Sequence, residues 1–284
     1  MTLRQALALA TEQLAANASL GDYAHRDAEL LLLHVLKLDR ATLLAYPMRP
    51  LTEQQLALYE EAVARRLRHE PIQYITGQQE FFGLPLKVTP ATLIPRPETE
   101  HLVEAVLERL PSDRSLRILD IGTGTGAIAL ALASHLPLAE ITAVDISAAA
   151  LQVARENTVN HHLEARVQLR ISDLLDGLPQ NDRIAAFDAI VSNPPYIPQG
   201  ERAELHPQVR DFEPVQALFA GDSGLDIYRR LIPQAHPALK PGGLLALEIG
   251  HGQRDALAAL LERWKDVAFV DDLQQIPRVA LARR

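Results

Sequence analysis

This 284-residue sequence predicts an α/β architecture, a mostly parallel seven-stranded sheet preceded by a small all-helical domain and a β-hairpin connector. Three observations carry that reading. From Leu116 onward, short apolar runs alternate with helical segments; residues 2–69 show helical spacing; and between the two the chain breaks into short pieces around Gly77, Gly83 and Pro85. Strands too apolar to keep a solvated face need helices on both sides, which is the parallel α/β solution. The boundaries drawn are 1–71 for the helical domain, 72–95 for the connector and 96–284 for the α/β domain.

In the first segment, 2–16, Leu3, Leu7, Ala10 and Leu14 recur at helical spacing, and Glu12 interrupts any export-signal core. Segment 25–38 is a second helix. The third, 52–69, opens on Thr52 with Gln55 three positions on, a capping-box pattern, carries Leu56, Tyr59, Val63 and Leu67 on one face, and stops at Pro71. Short loops between them predict antiparallel packing in a small bundle. In the connector, Ile72-Gln73-Tyr74-Ile75, Phe81-Phe82 and Leu84 to Val88 are strand-like. Pro97, Glu98 and Glu100 then suit the start of a helix.

The α/β region reads as strands 117–121, 140–146, 167–172, 187–192, 244–249, 267–272 and 279–283, with helices over 126–135, 148–160, 224–239 and 253–264. The stretch 193–214 is one long irregular loop holding five prolines, and a loop of that length in a compact domain is usually functional or mobile.

Composition narrows the function classes. At 48% apolar and 23% charged the chain is of the soluble globular kind, and no apolar run approaches the ~18 residues of a membrane span. The absence of cysteine removes disulfides, thiolate zinc sites and cysteine nucleophiles, and fits a cytoplasmic protein. A net charge of −8 argues against sequence-specific binding along a nucleic-acid backbone. The ten histidines, His161-His162 among them, lack metal-ligand spacing, so no metal is expected.

Asp120-Ile121-Gly122-Thr123-Gly124-Thr125-Gly126 joins a buried strand to a helix. Glycines allow a tight turn and a close backbone approach, and the helix start offers free N–H groups. Asp145 ends the next strand, 25 residues after Asp120, where a carboxylate can accept from both ribose hydroxyls of a nucleoside cofactor. Gly122, Gly124 and Ala127 also satisfy the dinucleotide pattern, so the turn alone does not separate a nicotinamide cofactor from S-adenosylmethionine. Asp173-Leu174, after the third strand, can meet an adenine amino group and its ring face; a helix cap is the plainer reading of the same pair.

Asn193-Pro194-Pro195-Tyr196 follows the fourth strand, which in such sheets lies beside the first, so the tetrapeptide should face the glycine turn. An amide or aromatic amine nitrogen is a poor nucleophile because its lone pair is delocalised. Two acceptors gripping its N–H groups, the Asn193 side-chain oxygen and the Pro194 carbonyl, can orient that lone pair; the prolines stiffen the loop and Tyr196 can cover a planar acceptor. A redox enzyme has no use for this tetrapeptide, which tips the cofactor to S-adenosyl-L-methionine.

With LIPRPETE (93–100), DIGTGTGAIAL, SNPPYIP, GLDIYRRL (224–231) and LLALEIG, the chain resembles the HemK family, the release-factor glutamine N5-methyltransferases, over nearly its whole length. The resemblance implies a Rossmann-like class I methyltransferase domain and a helical domain that helps recognise the substrate, the glutamine of the Gly-Gly-Gln motif in class I peptide chain release factors. It also implies cofactor contacts from Gly122, Thr123, Gly124, Thr125, Gly126, Asp145, Leu174 and Asn193, with Asp173 beside them, and glutamine contacts from Asn193, Pro194, Pro195 and Tyr196. Leu174 stands where the family often has an aromatic residue, and Thr92 where an apolar one is usual. The LIPRPETE segment, with Arg96, Glu98 and Thr99, reads either as a helix start whose Arg96 is solvated or paired to a nearby acid or, by the resemblance, as a closure over the cofactor's methionine end. Other enzymes with this tetrapeptide methylate a ribosomal-protein glutamine or a nucleic-acid base.

Overall fold

Capping chemistry sets the helix starts of the N-terminal region. In the computed structural model, which describes residues 1–284, Thr52 Oγ1 accepts from the Gln55 N–H at 3.1 Å while Gln55 Oε1 accepts from the Thr52 N–H at 3.1 Å. Thr2 and Gln5 repeat the same reciprocal cap at the first helix. The helices are α1 (Leu3–Ala15), α2 (Ala24–Leu36), α3 (Arg40–Ala45), α4 (Glu53–Leu67) and α5 (Ile72–Thr76). Their apolar faces meet in a core built on Leu3, Leu14, Leu31, Leu32, Tyr59 and Val63. Two polar ties cross it: the Tyr59 hydroxyl donates to the Ala28 carbonyl at 2.9 Å, and Arg66 pairs with Asp27 at 2.7 Å, both side chains buried.

The strand expected at 72–75 is a helix. The Pro71 carbonyl accepts from Tyr74 and Ile75, Gly77 ends the turn at φ 74°, and Tyr74 and Ile75 become buried. Tertiary burial of Tyr74 and Ile75 thus overrides the segment's β-rich composition. By contacts the chain forms two units, Met1–Gln78 with Glu204–Phe212, and Gln79–Ala203 with Glu213–Arg284. The returning segment carries α9 (Pro207–Arg210), and His206 stands edge-on to His69 at 6.2 Å and approaches the Ser19 carbonyl at 3.2 Å. The stretch 193–214, expected to be wholly irregular, therefore holds this helix and a 3₁₀ turn over Gln199–Glu204.

The second unit begins with the hairpin β1 (Gln78–Phe81) and β2 (Leu84–Lys87), its turn made by Phe82 and Gly83, both at positive φ. A 3₁₀ turn over Pro97–Thr99 leads into α6 (Glu100–Leu107). Then come β3 (Leu116–Ile121), α7 (Ala127–His135), β4 (Ala139–Asp145), α8 (Ala148–Asn160), β5 (Val167–Ile171), β6 (Phe187–Ser192), α10 (Asp226–Ala238), β7 (Leu239–Glu248), α11 (Arg254–Leu260), β8 (Lys265–Asp271) and β9 (Pro277–Arg283). The seven-stranded sheet runs β5-β4-β3-β6-β7-β9-β8, parallel except for β9, which is antiparallel to both neighbours. One apolar layer covers one face around Leu102, Val106, Leu130 and Ala131; the other packs Tyr228, Leu231 and Leu257 against Phe187, Ile190 and Leu245.

The sheet places its crevice by topology. Strand order turns at β3, with β4 on one side and β6 on the other, so the loops after β3 and β6 splay apart and leave room between them. Ile121 pairs in register with Ser192, whose hydroxyl donates to the Ile121 carbonyl at 2.7 Å. Gly122 and Asn193 thus start from adjacent rungs, as the sequence argument required.

Candidate active site

The glycine turn is held open by its own strand neighbours. The Gly122 and Thr123 N–H groups both donate to the Val144 carbonyl, and Thr123 Oγ1 donates to Asp120 at 2.6 Å. Gly122, Gly124 and Gly126 sit at φ 71°, 55° and 85°, conformations that cost an L side chain about 1–2 kcal/mol each. At Gly122 and Gly124 a Cβ would meet nothing within 4 Å, so the concave side of the turn is free for a ligand. Asp120 is fully buried, and desolvation pushes its carboxyl up to about 7.

Asp145 closes the turn from β4. One oxygen accepts from the Gly124 N–H and the other from the Ser147 N–H, each at 2.9 Å. Burial raises its pKa, while these backbone donors pull it down. Each carboxylate oxygen keeps a further lone pair for a ligand hydroxyl.

A cavity of about 270 Å³ lies over these groups. Gly122, Thr123, Gly124, Thr125 and Asp145 line one end, Asp173 and Leu174 another, and Asn193, Pro194 and Pro195 face them. Thr92, Arg96 and Thr99 complete it from the segment before α6. Gly126 stands behind the lining as the N-cap of α7. No helix follows Asp173, so the capping reading fails. Ser172 Oγ instead donates to the Leu174 carbonyl and accepts from Gly177, a turn that holds Leu174 at φ 50°. Asp173 pairs with Arg230 at 2.7 Å, both about half exposed.

Tyr196 does not line the cavity. Its ring is half-buried and packs against the core, and its hydroxyl donates to Glu248 Oε1 at 3.3 Å. Burial drives the phenol well above its ordinary pKa. Asn193 Nδ2 donates to Thr99 Oγ1 at 3.0 Å. Gln253 Nε2 donates to the Tyr196 carbonyl at 3.0 Å, and Gly224 lies so close that a Cβ there would stand 2.2 Å from that same oxygen.

Three supporting residues lay outside the sequence reading. Glu248 ends β7 fully buried, with its pKa pushed up to about 7 by burial; a lone acid inside the apolar run 244–249 is its visible signal. Glu213 pairs with Arg96 and also accepts from the Ile94 N–H at 3.3 Å; nothing in the sequence marks this partner. Gln253 likewise has no local signature.

The residues fit a nucleoside: an open backbone cradle, a carboxylate with spare lone pairs, and an apolar wall at Leu174. A family model described as the PrmC N-terminal domain matches residues 5–77, and one described as the methyltransferase small domain matches residues 99–208. The release factor glutamine methyltransferase of Koribacter versatilis (strain Ellin345) is 48% identical over 284 residues, covering 100% of this chain and 99% of that protein. That of Moorella thermoacetica is 49% identical over 287 residues, again covering 100% and 99%. Among solved structures, a methyltransferase from Pyrococcus furiosus superposes with a TM-score of 0.51 at 20% identity, covering 80% of this chain and 95% of its own. The T. thermophilus 16S rRNA N2 G1207 methyltransferase, in complex with AdoMet and guanosine, gives 0.54 at 23% identity over 73% of this chain and 49% of its own. These two structures share the fold.

Proposed function

Because the chain belongs to the family of release factor glutamine methyltransferases, we propose that it methylates the side-chain amide nitrogen of the glutamine in the Gly-Gly-Gln motif of class I peptide chain release factors. It is an S-adenosyl-L-methionine-dependent methyltransferase. The observation that carries the reading is the single cavity in which Asn193, Pro194 and Pro195 face the glycine turn and Asp145.

Each residue has a definable task. Gly122 to Gly126 present the bare turn to the cofactor, Asp145 accepts from its ribose hydroxyls, and Asp173 with Leu174 meets the adenine edge and face. When bound, S-adenosyl-L-methionine supplies an electrophilic methyl group. Asn193 Oδ1 and the Pro194 carbonyl accept the two N–H groups of the glutamine amide, so that its nitrogen is held with the lone pair turned to the cofactor end. Pro195 and the half-buried Tyr196 keep that pair of acceptors rigid. Tyr196 supports the tetrapeptide from behind, its hydroxyl anchored on Glu248. The nitrogen becomes acidic as it is alkylated and loses its proton readily, so no strong base is needed. The apolar lining keeps water from competing.

Methyl transfer from labelled cofactor to purified release factors, ribosomal proteins and RNA tests this directly. Label on the Gly-Gly-Gln peptide, absent with Asn193→Ala, is the expected result. Label on RNA or ribosomal protein alone refutes the substrate, and unchanged cellular function with Asn193→Ala refutes catalysis as the role.

A further inference from the structure

One side-chain amide behind the glycine turn holds two separate stretches of the cavity wall. Asn157 lies on α8 and is 0% exposed. Its Oδ1 accepts from the Lys87 N–H at 2.7 Å, and its Nδ2 donates to the Lys87 carbonyl at 3.0 Å and to the Thr125 carbonyl at 2.9 Å. Both amide protons are used, which fixes the orientation. The reversed amide would set its oxygen against two carbonyls and its protons against an N–H.

The bond to Thr125 grips a peptide plane. A carbonyl and the N–H of the following residue turn together, because the bond between them is planar. Asn157 holds the Thr125 carbonyl, and the Gly126 N–H donates to the Thr123 carbonyl at 2.8 Å. The plane linking Thr125 to Gly126 is thus held at both ends. The grip matters here because Gly124 and Gly126 carry no Cβ to restrict rotation. α8 also packs directly beneath this point: a Cβ on Gly126 would stand 3.5 Å from Ala154 Cβ, one helical turn before Asn157.

The bonds to Lys87 act on a second wall. Paired strands exchange an N–H and a C=O with one neighbour, and the Asn157 amide takes that neighbour's place at the end of β2. Lys87 Nζ adds a contact with Glu156 at 2.5 Å. Val88 is buried next, and shortly after it Ala91, Thr92 and Leu93 line the same cavity as Thr123, Gly124 and Thr125.

We infer that Asn157 is a positioning residue for the cofactor cradle: it holds the Thr125–Gly126 peptide in one orientation and fixes the spacing between the glycine turn and the wall at Ala91 to Leu93. This rests on the reading that the glycine turn binds S-adenosyl-L-methionine. The cradle is then set before the ligand arrives, and losing the amide lowers the fraction of molecules ready to bind. A cradle correct in one molecule of ten to a hundred binds about 10–100-fold more weakly. Bound cofactor restores the geometry, so the transfer step itself is nearly unaffected.

The test uses Asn157→Leu, which keeps the branching without a polar atom, and Asn157→Ala, which leaves space for a water to take over the bonds. Val153→Ala, buried on the same helix but outside the cavity lining, controls for lost stability alone. By calorimetry, the Kd of S-adenosyl-L-methionine should rise about 10–100-fold in Asn157→Leu, less in Asn157→Ala, and stay within about twofold in Val153→Ala. At saturating cofactor, kcat should stay within about threefold of the parent. A Kd unchanged in every Asn157 variant that folds, an equal rise in Val153→Ala, or a loss confined to kcat overturns the inference. Hydrogen exchange without ligand tests the grip by itself. In the Asn157 variants the Gly126 amide should exchange faster relative to the Thr123 amide, which donates to the Val144 carbonyl. Gly126 exchange as in the parent overturns the inference. Faster Gly126 exchange with an unchanged Kd shows instead that the turn does not hold the cofactor, and the underlying reading falls with it.

Discussion

Replacing Gly224 by alanine should disable the enzyme from a position that touches neither cofactor nor acceptor. The glycine sits at φ 69°, which costs an alanine about 1–2 kcal/mol by itself. Its Cβ would stand 2.2 Å from the Tyr196 carbonyl oxygen, whereas real Cβ contacts essentially never fall below 3.0 Å, so the two backbones must part by about 0.8 Å or more. The listener to that displacement is the acceptor tetrapeptide, since Tyr196 is its last residue. Gln253, which donates to the same carbonyl at 3.0 Å and to the Gly224 carbonyl at 3.4 Å, would lose both bonds or be dragged along. A misplacement approaching 1 Å at a reacting group costs on the order of 100-fold in rate. Stability should fall by roughly 2–4 kcal/mol once strain and the lost hydrogen bonds are taken together. The assay is single-turnover methyl transfer beside calorimetric cofactor titration and thermal melting. Expected are a kcat reduced about 100-fold, a cofactor Kd within a few fold of the parent, and a lower Tm. Transfer within about threefold of the parent would refute the claim that this contact holds the tetrapeptide.

Asp145→Ala should weaken cofactor binding by about 10-fold or more, because a ligand hydroxyl loses its acceptor and Gly124 and Ser147 lose theirs; unchanged affinity by calorimetry would mean the nucleoside end lies elsewhere. Arg96→Ala leaves the fully buried Glu213 side chain without its cation and should destabilise the protein by about 3 kcal/mol near pH 8 in urea melts. That loss should shrink at acid pH, since burial already raises the Glu213 pKa and a protonated acid needs no partner. Asp27→Ala breaks the buried pair with Arg66 in the helical unit and should cost about 3 kcal/mol there, with cofactor affinity untouched. Glu248 has a folded pKa of about 7 against 4.5 unperturbed, so the folded state holds the extra proton and stability falls as pH rises between those values. Glu248→Gln should therefore raise Tm at pH 8 more than at pH 5; an equal effect at both would contradict a buried, titrating carboxyl.

How far the sequence reached depends on whether a feature was local. The Thr52–Gln55 cap, the alternation of apolar strands with helices, and the adjacency of Gly122 to Asn193 all follow from short-range chemistry or from the handedness of βαβ units, and all appear in the structure. Ile72 to Ile75 misled because β-branched composition competes with burial, and burial is decided by residues far along the chain. Asp173 misled in another way: a turn built by Ser172 occupies the place where a helix start was the plainer reading. The Tyr196 ring, expected against the acceptor, packs half-buried against the core, and the partner of its hydroxyl, Glu248, lies 52 positions later, beyond the reach of any local pattern. Glu213, 117 positions from Arg96, is a pairing no spacing rule could announce.

The segment Glu204–Phe212 belongs to the helical unit although the residues on both sides of it belong to the other. Neither unit is therefore a single stretch of sequence, and the backbone passes between them three times. A gene cut after Gln78 would deliver two incomplete pieces: a bundle missing α9 and His206, and a catalytic fragment carrying nine residues whose companions have been removed. Domain-swap chimaeras between relatives should therefore carry this strap with the bundle it completes, and fragments made without it are a poor test of what the bundle binds.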